Sequence, residues 1–211
     1  MKIINASYEI LTQIDNHSLI KTVEAVGRTC YKSHPLVTSD DTAANFVAAL
    51  IKRGHESILE HVGVSVRIIC DRGVSHQIVR HRMASYAQES TRRSRDMLRE
   101  LTFIKPCFWT ATSSQYETWK DAMIASEKVY FLMRDNGASA EEARTVLPSS
   151  LKTEIVQTMN LRAWRHFFAL RAVGITGKPH PQMLELTIPM LKEFQRIPVI
   201  FDDLQPDFSG K

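Results

Sequence analysis

The chain is poor in the residues and motifs that mark disulfide-bonded, zinc-binding and phosphate-loop proteins. Its 211 residues include three cysteines, Cys30, Cys70 and Cys107, and no C-x-x-C pair. We therefore expect reduced thiols and no cysteine-based zinc site. Neither G-x-G-x-x-G nor G-x-x-x-x-G-K-[ST] occurs, which excludes the two common glycine-rich phosphate cradles. A nucleotide that binds here would have to be held by side chains.

Signals for metal binding and for membrane insertion are missing as well. His55-Glu56 begins like the H-E-x-x-H zinc motif, but Leu59 stands where the second histidine is required, and His61 has the wrong spacing. Apolar runs are short, whereas a helix that spans a bilayer needs about 20 apolar residues. The first residues lack a charged segment followed by an apolar one. We therefore predict no metal site, no membrane span, no signal peptide and a cytoplasmic location.

The bulk composition is that of a globular protein with one sizeable core, because 44% of the residues are hydrophobic and 24% are charged. We predict a single domain over residues 1–211. The formal net charge of +4 suits either a nucleic-acid-binding protein or an enzyme that acts on small anions. Charge alone does not choose between these two classes.

Hydrophobic periodicity predicts more helix than strand. A capping box, Ser139 followed by Glu142, marks one helix start, and Pro148 limits that helix. The helices do not alternate regularly with strands, which favours an α+β fold over a doubly wound parallel sheet. Strands are predicted over residues 2–9, 62–70 and 101–105, and helices over residues 17–29, 40–53, 73–82, 114–134, 140–147, 151–171 and 180–195.

The most unusual stretch is RHRMASYAQESTRRS, residues 80–94, which we call the basic segment; in it, basic residues surround several hydroxyls and a single acid. Gln77, Arg80 and His81 have the spacing of one helix face, and the residues that follow have the weak periodicity of a turn or loop. An arginine fork such as Arg92, together with hydroxyls and loop amides, can grip a phosphate. The alternatives are a solvated basic loop and a nucleic-acid patch. The lack of flanking lysines and interleaved aromatics weighs against the nucleic-acid patch.

A second charged stretch, NLRAWRHFFALR, spans residues 160–171. Arg171 falls near an apolar stripe of this predicted helix, where an unpaired charge would be costly. It therefore forms either an internal salt bridge, with Glu154 or Glu185, or a contact with an anionic ligand. Arg144, inside the capped helix, is likewise either a surface arginine or an anion contact. The stripe consists of Leu161, Trp164 and Phe168, with Phe167 and Leu170 beside it.

Taken together, these motifs resemble those of a known family. RHRMASYAQESTRR resembles the signature of the flavin-dependent thymidylate synthases, R-H-R-x-x-S-x-N-x-x-S-x-R-Y, with Ala87 at the Asn position and Arg93 at the Tyr position. GHESILEH, EARTVLP and NLRAWRHFFALR look like three further blocks of that family, in the same order between residues 54 and 171. Four blocks in the family's order carry the resemblance.

The resemblance implies a fold, a reaction and an assembly. Members of the family are homotetramers of an α+β chain, with an antiparallel or mixed sheet flanked by helices and a helical extension. Each active site is assembled from several subunits. These enzymes methylate dUMP to dTMP with carbon from 5,10-methylenetetrahydrofolate, while tightly bound FAD, reduced by NADPH, carries the hydride. The expected partners are therefore dUMP and folate, with no nucleic acid and no membrane.

Site residues follow from the resemblance, position by position. Arg171 is similar to the arginine that faces the uracil ring and favours ionisation at N3, a task for a group that stays charged. His55 resembles a histidine near the flavin and folate, with a core histidine as the alternative. The implied dUMP contacts are Gln77, Ile78, Val79, Arg80, Gln88, Glu89, Ser90, Thr91, Arg92, Arg144 and Arg171. The implied FAD contacts are His55, Ser57, Arg80, His81, Arg82, Gln88, Asn160, Leu161, Arg162 and His166.

The resemblance also assigns no nucleophile to the chain. We interpret Ser90 as a nucleotide-binding hydroxyl, because no base lies at a readable spacing from it. None of the cysteines lies in a matched block, which agrees with chemistry carried by a flavin. Two rival functions stay open. One is a nucleic-acid-binding protein that uses the basic segment, and the other is a flavin-binding homologue whose activity is altered by Ala87 and Arg93.

Overall fold

The structure is a computed structural model, and it describes residues 1–33, 39–92 and 100–206. Arg93, which departs from the family signature, lies outside the described residues. Within them, no helix is both long and apolar enough to cross a membrane. The chain forms two compact units that interleave along the sequence. The first comprises Met1–Tyr8, Arg67–His81 and Tyr86–Val156, and the second comprises Glu9–Val66, Arg82–Ser85 and Gln157–Lys211.

Strands in the described part of the chain form two sheets. They are β1 (Lys2–Ile4), β2 (Ser7–Ile10), β3 (Gly63–Asp71), β4 (Ser85–Gln88), β5 (Thr102–Ile104) and β6 (Lys152–Asn160). β1 pairs in parallel with β5, and the second sheet has the order β2-β3-β6-β4. An antiparallel bridge joins Phe103 to Leu151. The pairing is therefore mixed.

Helices make up most of the remaining regular structure. The α-helices are α1 (Asn16–Tyr31), α2 (Asp40–Lys52), α3 (Arg72–Ile78), α4 (Ser114–Asp135), α5 (Ala140–Ala143), α6 (Leu161–Phe168) and α7 (Pro181–Phe194). Glu56–His61 and Arg144–Val146 are 3₁₀ turns, and Ala169–Val173 is a π-helical turn. The predicted α+β class is confirmed.

The first unit gathers its core around the long helix α4. Ser113 caps α4, since its side chain accepts a hydrogen bond from the Tyr116 N–H. The predicted capping box is confirmed at α5, where Ser139 and Glu142 each accept from the other's backbone N–H. These caps fix where the two helices begin and therefore which faces they bury. The buried cluster consists of Leu101, Phe103, Met123, Tyr130, Ala143 and Leu151.

The second unit is built on aromatic packing around α6 and α7. Trp164 stacks on Phe168 with ring centroids 5.5 Å apart and meets Phe194 at 5.0 Å. Its indole N–H donates to the Val64 carbonyl at 3.1 Å, so the buried ring leaves no unpaired donor. The predicted apolar stripe is confirmed, because Leu161, Trp164 and Phe168 are all fully buried.

Residues 152–160 are a strand, which contradicts the helix predicted over residues 151–171. β6 alternates buried and half-buried residues along its length, which is the period of a strand with one buried face. The helix begins only after Asn160, whose side-chain oxygen accepts from the Ala163 N–H at 2.9 Å. The sequence pattern misled because the apolar residues of the strand run directly into the apolar stripe of α6.

The basic segment also differs from its prediction. α3 ends at Ile78, so Arg80 and His81 lie beyond it and do not share a helix face with Gln77. Part of the predicted loop is strand β4. The Tyr86 hydroxyl on β4 lies 2.8 Å from the Ile78 carbonyl oxygen and 2.7 Å from that of His81. This tertiary contact holds the chain just where the helix stops.

Candidate active site

The stretch after β4 is anchored by strand pairing and by a side-chain amide. The Glu89 N–H donates to the Glu154 carbonyl at 2.8 Å, which continues the pairing of β4 with β6. The Gln88 Nε2 group donates to Ser75 Oγ at 3.1 Å and to Thr153 Oγ1 at 3.2 Å, and both of these residues are buried. A ligand at Gln88 would therefore meet its amide oxygen, a hydrogen-bond acceptor.

Two arginines are associated with the end of this stretch. Arg144 donates from Nη1 to Thr91 Oγ1 at 3.3 Å. Arg92 follows Thr91 directly, and its backbone N–H donates to Ser90 Oγ at 3.3 Å. Two guanidinium forks and two hydroxyls form the donor set that suits a phosphate. We call Ser90, Thr91, Arg92 and Arg144 the anion cradle.

Glu141 is the acidic neighbour of the anion cradle. Its Oε1 atom lies 2.6 Å from Arg92 Nη1, and both side chains are more than half exposed. An exposed pair of this kind is worth at most about 1 kcal/mol. A phosphate dianion can therefore compete with Glu141 for Arg92.

A network of charged side chains lies beside the cradle, on β3, on β6 and directly after β4. Lys152 Nζ lies 2.9 Å from Glu89 Oε2 and 3.7 Å from Glu154 Oε2, and Arg67 Nε lies 3.1 Å from Glu154 Oε1. The network borders an open cleft of about 400 Å³ that Ala87 also lines. Glu89, predicted to contact dUMP, is thus already engaged by Lys152.

Another cavity, of about 300 Å³, lies within the second unit. The Tyr31 hydroxyl lies 3.2 Å from His55 Nδ1 at its wall. His55 is exposed, which contradicts the alternative that it is a core histidine. The cavity is lined by Gly27, Cys30, Tyr31, Leu50, Gly54, His55, Glu56, Ser57, Ile58 and Arg162.

α6 contributes a cation and an imidazole to the same unit. Arg162 donates from Nη1 to Glu60 Oε1 at 2.6 Å, and its Nε atom lies 3.7 Å from Glu56 Oε2. The hydrogen bond to Glu60 raises the pKa of Arg162. His166 lies one turn further along and is exposed, as Arg162 is. The side of α6 away from the aromatic core therefore carries both groups.

Arg171 lies in the π-helical turn that follows α6. The Gly174 N–H donates to the Ala169 carbonyl at 2.9 Å, the five-residue spacing of a π-turn. Gly174 has φ +79°, a left-handed conformation that ends the turn. Arg171 is half-buried, and its carbonyl accepts from the Thr187 hydroxyl at 2.7 Å. Single π-turns are rare and occur often at functional sites.

The cysteines differ in exposure. Burial raises the pKa of the Cys70 thiol well above its ordinary value, so this residue is unsuited to nucleophilic attack. Cys30 and Cys107 are exposed.

Among the described residues, no group of three or more His, Cys, Asp or Glu side chains is arranged to hold a metal ion.

Comparison with known proteins identifies the family. Residues 13–198 match the family described as thymidylate synthase complementing protein. A flavin-dependent thymidylate synthase of Geobacter sulfurreducens is 35% identical over 193 residues, which are 87% of this chain and 81% of that protein. The chain belongs to the flavin-dependent thymidylate synthase family. A second member, from Pyrococcus abyssi, is 36% identical over 169 residues, with coverages of 78% and 67%.

A solved structure shares the fold of this family member. The chain resembles a UMP/dUMP methylase, PolB from Streptomyces cacaoi, solved with 5-Br dUMP bound, with a TM-score of 0.78 and coverage of 96% of each chain. Sequence identity to that protein is 19%. The likeness therefore supports the fold alone.

Three residues predicted from the family resemblance have buried side chains. Ile78 is 1% exposed, Leu161 0% and His81 8%. The Leu161 N–H donates to the Val62 carbonyl at 3.0 Å, and the Ile78 carbonyl lies beside the Tyr86 hydroxyl. The side chains of Ile78, Leu161 and His81 therefore face the core and not the solvent.

Other predicted residues at the start of the basic segment, or just before it, are at least partly accessible. Val79, Arg80 and Arg82 are exposed, and Gln77 is half-buried. Asn160 is half-buried, and its side-chain oxygen is engaged as the cap of α6. Its amide nitrogen is the group that can donate to a ligand.

Sequence reasoning missed several residues that position the predicted ones. The contacts join residues far apart in the chain: Tyr31 with His55, Glu141 with Arg92, and Thr187 with Arg171. No local pattern marks such pairs. The missed residues are Ser75, Thr153, Tyr31, Glu141 and Thr187.

The residues of the 300 Å³ cavity fit part of a flavin dinucleotide. Leu50 and Ile58 supply apolar lining, whereas Ser57, His55 and Arg162 supply a hydroxyl, an imidazole and a guanidinium. This combination suits a ligand with aromatic rings and phosphates. The volume accommodates one portion of FAD, so further contacts must come from other residues.

Proposed function

We propose that this protein converts dUMP to dTMP, with 5,10-methylenetetrahydrofolate as the carbon donor and FAD, reduced by NADPH, as the hydride carrier. The proposal rests above all on the family match over residues 13–198. The relatives that match over most of the chain are named flavin-dependent thymidylate synthases. The anion cradle adds independent support, since it offers the donors that a nucleotide phosphate requires.

In this proposal the anion cradle binds the phosphate of dUMP. Arg92 and Arg144 supply charged forks, and Ser90 and Thr91 supply hydroxyl donors. Gln77, Val79 and Arg80 complete the dUMP site. Gln88 orients the nucleotide through its amide oxygen, because its amide nitrogen is held by Ser75 and Thr153.

Arg171 acts on the uracil ring. Its fixed positive charge stabilises the ring anion that forms when N3 loses its proton, which makes C5 more nucleophilic. The methylene carbon of the folate would then bond to C5 while its bonds to the folate nitrogens break and tetrahydrofolate leaves, and the C5 proton would pass to solvent. The chemistry that FAD would supply, when bound and reduced, is the hydride that completes the methyl group.

The FAD contacts come from the second unit and from the basic segment. His55, Ser57 and Arg162 line the cavity, and His166 and Asn160 lie on or at the start of the same helix as Arg162. Arg80, Arg82 and Gln88 are the proposed contacts from the basic segment. His81 and Leu161 complete the proposed FAD contacts, and their side chains are buried.

We further propose a cytoplasmic homotetramer of single-domain chains in which several subunits contribute to each active site. A shared site would explain why the 300 Å³ cavity takes only part of FAD. Light scattering tests the assembly, since a tetramer has four times the 24.1 kDa mass of the chain. Dilution that dissociates the tetramer should release FAD, and a monomer that retains FAD would contradict a shared site.

The first experiment is the visible absorption spectrum of the purified protein, before and after FAD is added and the excess removed. The proposal predicts a retained flavin band that bleaches with NADPH and dUMP, and dTMP formation once methylenetetrahydrofolate is added. A protein that retains no flavin and binds polynucleotides in a salt-sensitive way would favour the nucleic-acid alternative. Flavin reduction without dTMP would indicate a homologue with altered activity.

A further inference from the structure

The turn that carries Arg171 is held from outside its own helix. In a continuing α-helix, the Ile175 N–H would donate to the Arg171 carbonyl. Instead Ile175 and Gly174 both donate to the Ala169 carbonyl, at 3.1 and 2.9 Å. The Arg171 carbonyl accepts from Thr187 Oγ1 at 2.7 Å. A side chain of α7 therefore takes the place of a backbone donor.

Thr187 is placed to do this by burial. It is 1% exposed, and a buried hydroxyl that loses its partner costs free energy. Its oxygen also lies 2.9 Å from the Met183 carbonyl, the usual partner of a threonine inside a helix. The shorter contact, to Arg171, joins residues 16 positions apart in the chain. This contact is tertiary and sets the place of the turn relative to α7.

The C-terminal end of the turn is fixed at Gly174, where the chain passes close to Gly177 and Pro179. Gly174 has φ +79°, and a Cβ atom built there would lie 2.8 Å from Pro179 Cδ and 2.9 Å from the Gly177 carbonyl oxygen. Only glycine fits both the conformation and the space. The Arg171 backbone is thus restrained by Gly174, which ends the turn, and by the hydrogen bond from the Thr187 hydroxyl.

We propose that Thr187 is a positioning residue for dUMP methylation, which acts by holding the π-turn so that Arg171 faces the uracil ring. This inference rests on the proposed function of Arg171. The physical reason is that an error of about 1 Å in the place of a catalytic group can cost on the order of a hundredfold in rate. A turn that leaves the regular helix pattern has fewer backbone hydrogen bonds to prevent such an error.

Thr187→Val and Thr187→Ser test the proposal in the FAD-loaded protein. Valine keeps the shape and loses the hydroxyl, whereas serine keeps the hydroxyl. We expect Thr187→Val to lower kcat about tenfold with little change in the KM for dUMP, because the contact with the ring anion is made during the reaction. Thr187→Ser should recover most of the loss. The defect of Thr187→Val should also shrink as the pH rises, because N3 then ionises with less help.

Hydrogen exchange gives a readout that does not depend on activity. Thr187→Val should speed amide exchange in peptides that cover residues 169–175 and leave exchange in α4 unchanged. Unchanged exchange in the turn, or equal kcat losses for valine and serine, would overturn the inference while the proposed function stands. If the wild-type protein forms no dTMP, the proposed function fails, and any faster exchange is then a purely structural effect that also overturns a role in catalysis.

Discussion

The two groups of arginines are placed by different kinds of interaction. Arg171 follows a helix whose Trp164 and Phe168 are fully buried in an aromatic core. Arg92 and Arg144 lie on the surface, where Thr91 and Glu141 are their partners. Close packing leaves a buried element little freedom, whereas exposed polar contacts exchange readily with water and salt. Packing of α6 and the Thr187 hydrogen bond therefore set the position of the Arg171 backbone, while the cradle can adjust to an anion.

Because of this difference, the aromatic core around α6 and the anion cradle should contribute differently to stability and to binding. Core residues around α6 should control the free energy of unfolding. Cradle residues should control affinity for the phosphate and its salt dependence. Arg171 belongs to the packed region by position but to the reaction by chemistry, so it should affect turnover more than stability.

The largest effect is expected for Arg171→Ala. Loss of the charge that stabilises the ring anion should lower kcat by roughly 10²–10³-fold or more, since single groups of this kind are worth that much. The flavin absorption of the purified variant should match that of the wild type, because Arg171 is not a proposed FAD contact. Turnover and retained FAD are measured on the same preparation.

A matched control for Arg171→Ala is Arg196→Ala, which removes an exposed arginine from the same unit. That variant should turn over dUMP at the wild-type rate. Surviving activity in Arg171→Ala would show that the assigned role is wrong. Loss of FAD together with activity would instead indicate a role in folding or cofactor binding.

The second-largest effect is expected for Phe168→Ala, on the free energy of unfolding. Phe168 packs against Trp164, Phe194 and Phe201, with ring centroids 5.0–5.9 Å apart. Phe168→Ala should therefore lower the free energy of unfolding by about 3–5 kcal/mol. Urea unfolding at one protein concentration, without dUMP, measures the change.

Phe108→Ala is the control for Phe168→Ala, because Phe108 is an exposed aromatic residue. Its substitution should change the free energy of unfolding by less than about 0.5 kcal/mol. Equal losses in the two variants would mean that the aromatic cluster is not the stabilising core of its unit, and the contrast between the two regions would collapse.

How much the sequence revealed also differs between the two regions. The apolar stripe of α6 was readable because its period is local, and so was the capping box at Ser139 and Glu142. The start of α6 was missed because β6 runs into it without a turn. Asn160, a cap residue, was the available signal.

The cradle was predictable in composition but not in geometry. Arg92 and Arg144 could be named from motifs that lie about 50 residues apart, but nothing local brings Arg144 to Thr91. The same holds for Glu141 and for Thr187, whose partners are distant in the chain. Local patterns report periodicity and capping, and tertiary hydrogen bonds leave no such pattern.

Arg92→Ala and Arg144→Ala should weaken dUMP binding without changing stability. Each lost charge-assisted hydrogen bond is worth about 1.5–3 kcal/mol, so affinity should fall roughly 10–100-fold. Calorimetric titration of the FAD-loaded protein at low and high salt measures both the loss and its salt dependence. The salt dependence should be shallower in the variants, because fewer charges meet the phosphate.

Lys128→Ala, which removes an exposed cation from α4, is the control for general charge effects on dUMP binding. Its dUMP affinity should equal that of the wild type. If Lys128→Ala weakens binding as much as Arg92→Ala does, the effect is long-range attraction, and the cradle is not a discrete site.

The smallest effect is expected at an ion pair of the packed region. Asp203 accepts two hydrogen bonds from Arg165, at 2.7 and 2.8 Å, and these lower the pKa of its carboxyl. Asp203 is 58% exposed, so after solvent screening Asp203→Asn should cost only about 0.5–1 kcal/mol at neutral pH. A carboxyl with a lowered folded-state pKa contributes its full stability above the ordinary value of 3.8 and loses it as the pH falls through the folded value.

Urea unfolding of the wild type and of Asp203→Asn across this acidic range checks the sign. The difference in unfolding free energy should be constant from neutral pH down to the ordinary carboxyl pKa, should decrease below it, and should vanish once the pH is below the lowered pKa of the folded state. Asp202→Asn, at an exposed neighbour, removes the same charge without the Arg165 contact and should show no such difference. A difference that persists in strong acid would mean that Asp203 acts through packing rather than charge. The Arg165–Asp203 contact would then depend on close packing, as the aromatic core around α6 does, and the contrast between that core and the anion cradle would be sharper.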